Sequence, residues 1–151
     1  MIAGSAGHFD IVKLLIENTD IDLNAKNDSG RTVLHYVVSK GHMKIFDYLV
    51  SCPVDFNAKD KYGITPLHLA CSKGNKQMAS RILEETDINI RDTDAKTPLH
   101  YACEENDLNM AEFLIKSGVD HVLIDKNKMM AMDYLSTDEL KNDFTKLLST
   151  K

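Results

Sequence analysis

The chain has no tryptophan, three cysteines, three prolines and no long apolar run. Each scarcity excludes something. A membrane-spanning helix needs about 20 consecutive apolar residues, and no stretch approaches that, so no membrane partner is expected. Three cysteines are an odd number with no dense spacing. They suit a reducing compartment rather than a disulfide framework, so the expected location is the cytosol, with the nucleus second. Met1–Asp10 lacks a basic stretch leading into an apolar one, and no signal peptide is expected there. Positive charge is also short, with 18 Lys and Arg against 23 Asp and Glu and a net charge of -5. Phosphate neutralisation needs grouped Lys and Arg; none are grouped, so no nucleic-acid partner is expected. The acidity sits in the middle, with 11 acidic against 7 basic residues between positions 60 and 124. What the chain does have is 43% hydrophobic content over 151 residues, enough for one domain with a sizeable core.

That apolar content is periodic. Thr65–Asn75 reads TPLHLACSKGN, and Thr97–Asp107 reads TPLHYACEEND. An earlier version, GRTVLHYVVSKGH, spans Gly30–His42. Thr32, Thr65 and Thr97 align, as do His35, His68 and His100; Asn24, Asn57 and Asn89 end the units. A fixed period of this length marks stacked supersecondary units. The parse is 1–26 (incomplete), 27–59, 60–91, 92–124 and 125–151 (degenerate), all in one domain with no linker between units.

The physics within a unit is legible. Threonine is a good helix N-cap, and Pro66 and Pro98 fall at the first helical position, where a missing N–H costs nothing. Gly74 then ends a short helix near Lys73. A second helix follows, with apolar residues at helical spacing such as Ile45, Phe46 and Leu49. One unit cannot bury both faces alone, so stacking must supply the core.

The ends depart from the pattern. The first unit begins inside its first helix, so Ile2, Ile11 and Leu15 are expected to face a missing neighbour. The sequence predicts that the chain is the C-terminal part of a longer array. At the other end, Met130 and Asp133 replace the signature Thr and His. Ser136 and Glu139 predict a capping box opening a helix with an apolar stripe of Leu140, Phe144, Leu147 and Leu148. That helix reads as a C-terminal cap, with a partner-binding amphipathic helix as the alternative.

Two constellations invite chemistry. His68, Cys71, His100 and Cys103 could supply two His and two Cys to zinc. The competing reading gives the histidines to the repeat, tying turns through their ring nitrogens, and the cysteines to small buried helix positions. The second reading is preferred, so no metal or cofactor is expected, and Cys52 is the thiol expected to be most exposed. For catalysis, no glycine-rich phosphate loop, nucleophile elbow or His-Glu-x-x-His occurs. Glu84-Glu85 and Glu104-Glu105 are adjacent in sequence and diverge on a helix. No catalytic residues are assigned, and the chain is not expected to be an enzyme.

The Thr-Pro-Leu-His-x-Ala signature, the Gly-His turn and the terminal Asn resemble the ankyrin repeat. The match is strong over residues 3–118. The resemblance implies an all-α solenoid of helix-turn-helix units with projecting hairpin-like loops, binding a protein partner on a concave face of loops and first helices. The positions there that read as free of repeat duty are Arg31, Lys61, Tyr62, Asp94 and Lys96 on loops, and Tyr36, Lys40, Leu69, Lys73, Tyr101, Glu104 and Glu105 on first helices. For Tyr36 and Tyr101 two roles stay open, as binding hot spots or as packing between neighbouring helices. Lys40 and Lys73 give way to Glu105 one unit later, so the groove is expected to change sign along its length.

SKGNKQM, INIRDTDAKTPLHYACEEN, AEFLIKSG and IAGSAGHFDIVK also resemble the gankyrin family of proteasome regulatory subunits. That resemblance implies an assembly chaperone whose concave face binds the C-terminal domain of a proteasomal ATPase subunit. The family has more repeats, and its first two would be missing here. Its Leu-x-Cys-x-Glu stretch for the retinoblastoma protein falls at Tyr101–Glu105, where Tyr replaces Leu, so that partner is not carried over. The alternative is an adaptor module of an unrelated signalling or anchoring protein. A monomer is expected.

Overall fold

A computed structural model describes residues 1–149. It is helical throughout, and among the described residues the only β feature is an isolated bridge between Ile124 and Met130. The helices come in pairs: α1 (Ile2–Ser5) with α2 (Phe9–Asn18), α3 (Val33–Lys40) with α4 (Met43–Val50), α5 (Pro66–Ser72) with α6 (Lys76–Ile82), and α7 (Pro98–Glu104) with α8 (Leu108–Lys116). A 3-10 turn at Ala131–Tyr134 then stands where another first helix would, followed by α9 (Asp138–Ser149).

Each pair is built by local rules. The second helices are amphipathic; in α4 the buried set is Ile45, Phe46 and Leu49. Gly41 and Gly74 end the first helices at φ 72° and 64°, the left-handed region where glycine carries no Cβ penalty. Asn106 does the same after α7 at φ 57°, a position that asparagine tolerates.

The first helices α1, α3, α5 and α7 and the 3-10 turn pack directly on one another in a row, whereas α2, α4, α6 and α8 meet one another more sparsely. That asymmetry bends the row and puts first helices and loops on its inner side. Small residues allow the close approach: Ala70, Cys71, Ala102 and Cys103 are fully buried. At Gly4 a Cβ would lie 2.6 Å from the Val33 side chain. One continuous core runs from Val12 to Phe144.

The two ends differ. At the C-terminus α9 packs on α8 and buries Phe144, while Leu140, Leu147 and Leu148 are partly buried against the core. The stripe is thus spent on capping. The helix begins later than the expected Ser136–Glu139 box: the Leu140 amide donates to Thr137 Oγ1 at 3.2 Å. Ser136 donates its amide to Asn106 Oδ1 at 2.8 Å, so that amide is not left for Glu139 to accept as the expected box requires. At the N-terminus, among the described residues, α1 and α2 pack only on each other and on the α3–α4 side; Ile2 is 88% and Leu14 63% exposed, and Ile11 and Leu15 are exposed beside them.

Candidate interaction surface

The signature histidines form the first seam between units. The Thr65 amide donates to His68 Nδ1 at 3.2 Å, and His68 Nε2 lies 3.2 Å from the Lys96 carbonyl in the next unit. His35 repeats this with the Thr32 amide and the Ile64 carbonyl, and His100 with the Thr97 amide and the Met129 carbonyl. A carbonyl only accepts, so Nε2 carries the proton and Nδ1 is the acceptor. Both ring nitrogens of His68 and His100 are therefore used, as the tying role requires. As expected, the threonine stands at the helix N-cap: Thr65 and His68 form a reciprocal capping box, and the threonine hydroxyl also lies 2.9 Å from His68 Nδ1. Burial pushes His68 down to about 4, opposed by its hydrogen bond to the Lys96 carbonyl; His35 and His100 are lowered by the same cause.

The cysteines of the zinc-like pattern are fully buried thiols. Burial raises Cys71 and pushes Cys103 up to about 12, which keeps both in the unreactive thiol form. Among the described residues no three His, Cys, Asp or Glu side chains gather as metal ligands do. Cys52 is half-buried in its loop.

A second seam joins the loops. Each loop opens with Asn27, Asp60, Asp92 or Asp125, whose side-chain oxygen accepts two amides further along the same loop. For Asp60 these are Tyr62 and Ile64, at 2.9 and 3.0 Å. The loops then pair in sequence: the Lys61 amide donates to the Ser29 carbonyl, Thr93 to Tyr62, and Lys126 to Asp94. Gly63 (φ 73°) lies so close to the next loop that a Cβ would be 2.7 Å from the Thr93 nitrogen. Ala95 takes the equivalent place one unit later, at φ 62°.

A third device was not foreseen. Asn27 Nδ2 donates to the Tyr36 hydroxyl at 2.8 Å, and the Tyr101 hydroxyl donates to Asp92 Oδ2 at 2.8 Å. Tyr134 does the same to Asp125 at 2.5 Å. In each case a tyrosine nine residues on locks its own loop to its own first helix. Unit 60–91 has Leu69 in that place, and there Arg31 of the preceding loop fills the gap, its Nε 3.0 Å from Asp60 Oδ2. The sequence signal was available as the Asx-to-Tyr spacing.

A fourth seam was also missed. Lys26 Nζ donates to the Lys59 carbonyl at 3.0 Å, Lys59 Nζ to the Arg91 carbonyl at 2.9 Å, and Arg91 to the Ile124 carbonyl. Asn24 and Asn89 accept the Asp55 and Asp120 amides across their junctions.

These seams sort the expected face residues. Tyr36, Tyr101 and Arg31 are not free of repeat duty, because they hold loops. Leu69 is 8% exposed and belongs to the core, because the neighbouring first helices close over it. Lys96 pairs with Glu104 and lies 4.5 Å from the Tyr134 ring centroid, so that charge is largely internal. Glu105 accepts from the Ser72 hydroxyl at 3.1 Å. Lys40, Lys61, Tyr62, Lys73 and Asp94 are exposed, and the ring of Tyr62, 65% exposed, is the most prominent. Glu104 already has a cation, whereas Glu105, the residue on which the expected sign change rests, is exposed.

Residues 47–125 match a family model described as ankyrin repeats (3 copies), and residues 1–50 match one described as ankyrin repeats (many copies). Alpha-latrocrustotoxin-Lt1a from Latrodectus tredecimguttatus is 40% identical over 50 residues, which is 33% of this chain and 4% of that protein. The chain thus matches only a small part of the length of that relative.

Proposed function

The chain belongs to the ankyrin-repeat family, and from that premise we propose that it is a non-catalytic scaffold holding a folded protein on its concave face. Ankyrin repeats are protein-interaction modules and in general carry no catalysis. The observation that carries the concave assignment is the division of labour among its side chains. The seams consume the histidines, the loop-opening Asx residues and most tyrosines, yet the side chains of Lys40, Lys61, Tyr62, Lys73 and Asp94 serve none of them, although the Lys61, Tyr62 and Asp94 backbones pair the loops. They stand in register on a rigid frame, and a large amphipathic ring among charges suits a protein contact.

For the partner, we propose the C-terminal domain of a proteasomal ATPase subunit, with the chain acting as an assembly chaperone. The support is the stretch from Asn89 to Glu105, whose opening and acidic pair are more specific than the general repeat. The second reading is an adaptor module of a signalling or anchoring protein, supported by the repeat consensus that such modules share. A monomer working in the cytosol and the nucleus is part of the same proposal. The test is calorimetric titration of the full chain with a purified ATPase C-terminal domain. Saturable binding, weakened by Lys61→Glu with Tyr62→Ala at an unchanged helical spectrum, is expected. Absence of binding across the set of ATPase subunits overturns the proteasomal assignment and leaves the adaptor reading.

A further inference from the structure

Resting on the scaffold reading, we propose that the row of loops is a cationic strip that takes an acidic segment of the partner protein, laid lengthwise along the stack. Charge is divided unevenly over the fold. The four loops, residues 26–31, 59–64, 91–96 and 124–130, hold 8 Lys and Arg against 5 Asp and Glu, with two cations in every loop. The rest of the chain holds 10 against 18. A chain with a net charge of -5 therefore carries a net positive edge.

Burial sharpens the division. Asp60 and Asp125 are 7% and 4% exposed, and they spend their oxygens on amides of their own loops. Asp92 does the same and also takes the Tyr101 hydroxyl. Of the loop acids, Asp28 and Asp94 are the two that stand exposed. Of the loop cations, Arg31 and Lys96 are spent on Asp60 and Glu104. Lys61, Lys126 and Lys128 are exposed and, among the described residues, in no ion pair. Lys26, Lys59 and Arg91 are exposed too, and they bond to carbonyls of the next loop. Such a bond fixes the side chain without neutralising its charge. Each loop thus keeps at least one uncompensated cation, from Lys26 in the first to Lys126 and Lys128 in the last.

The loops hold these cations in register, because each is bonded to the one before it through the Lys61, Thr93 and Lys126 amides. Packed helices lie about 8–10 Å apart, so the cations recur at about that step. An extended segment in the polyproline II form rises about 3.1 Å per residue with three residues per turn, so every third side chain returns to one face about 9 Å further on. Glu or Asp at every third position meets one loop each, and about ten residues reach all four. Nucleic acid fits less well. A duplex carries one charge about every 1.7 Å, far denser than the loop cations, and it would press phosphates against Asp28 and Asp94.

The test uses the full chain and two labelled proline-rich peptides of about twelve residues, one with Glu and one with Lys at every third position. A labelled single-stranded oligonucleotide is the third probe, and all are read by fluorescence anisotropy. The Glu peptide is expected to bind about tenfold or more tighter than the Lys peptide, with the preference shrinking as salt rises. Lys61→Glu with Lys126→Glu is expected to weaken the Glu peptide about tenfold at an unchanged helical spectrum. Lys76→Glu with Lys116→Glu makes the same change in net charge on α6 and α8, and is expected to leave that affinity as it was. Equal binding of the two peptides, no binding of the Glu peptide, an equal loss in both double variants, or tighter binding of the oligonucleotide overturns the proposal. If it falls while Lys61→Glu with Tyr62→Ala still weakens a protein partner, the scaffold reading stands and only the acidic-segment strip is lost.

Discussion

Acid should loosen the stack well above the pH at which its carboxylates titrate. His68 is fully buried, accepts at Nδ1 and donates at Nε2. Protonating Nδ1 would set a proton against the Thr65 amide inside the core. The group falls from about 6.5 in the unfolded chain to about 4 in the fold. A lowered base is held neutral by folding, so its contribution is fully present above pH 6.5 and is lost as pH falls towards 4. Linkage gives about 2 kcal/mol lost between pH 7 and pH 5, and about 3 kcal/mol in total, for this one side chain. His35 and His100 shift the same way and add to the loss. The assay is urea unfolding at pH 7, 6 and 5 followed by circular dichroism, with His68→Gln as the control. Native chain should lose about 2 kcal/mol or more over that window. The variant should start less stable at pH 7 and fall less steeply. A native stability flat to within about 0.5 kcal/mol from pH 7 to 5, against the linkage expectation, would refute the neutral-imidazole seam.

Other substitutions probe the remaining devices. Leu99→Ala opens a cavity at a fully buried position and should cost about 2–5 kcal/mol in urea unfolding. Ala95→Gly should stabilise by about 0.5–1 kcal/mol, because Ala95 sits at φ 62° where Gly30 and Gly63 stand in earlier units; a lower urea midpoint would contradict the strain. Tyr101→Phe removes the hydroxyl on Asp92 and should cost about 1–2 kcal/mol, with faster hydrogen exchange in the 92–96 loop. A cost without that local exchange would place the hydroxyl's role elsewhere.

Much of the fold lay open in the sequence because the repeat is a linear code. Thr, Pro, His and Gly sit where N-cap, first turn, junction bond and helix stop each demand one residue type, so the helix pairs could be read off spacing. The side chains that tie one unit to the next were less visible. Tyr36 and Tyr101 looked free because their partners, Asn27 and Asp92, lie nine residues back, beyond the range of helix-face reasoning. Arg31 looked free because its partner Asp60 belongs to the next unit and is needed only because Leu69 replaces a tyrosine. Lys26, Lys59 and Arg91 bond to backbone carbonyls, which carry no residue identity and so leave no sequence trace beyond their spacing. The Ser136 cap failed for a similar reason, since Asn106, 30 residues away, takes its amide. The face residues left over, Lys40, Lys61, Tyr62, Lys73 and Asp94, could be sorted only after these claims were known.

The central claim is that partners are held on the inner face, by residues that the stack does not need for itself. The most direct measurement compares one binding partner's affinity for three forms of the full chain: native, Lys61→Glu with Tyr62→Ala on the inner face, and Lys116→Glu on the outer helix α8. Affinity lost only in the inner-face form, with all three unfolding at the same urea concentration, is the predicted result. Affinity lost in the Lys116→Glu form and kept in the other would contradict the account.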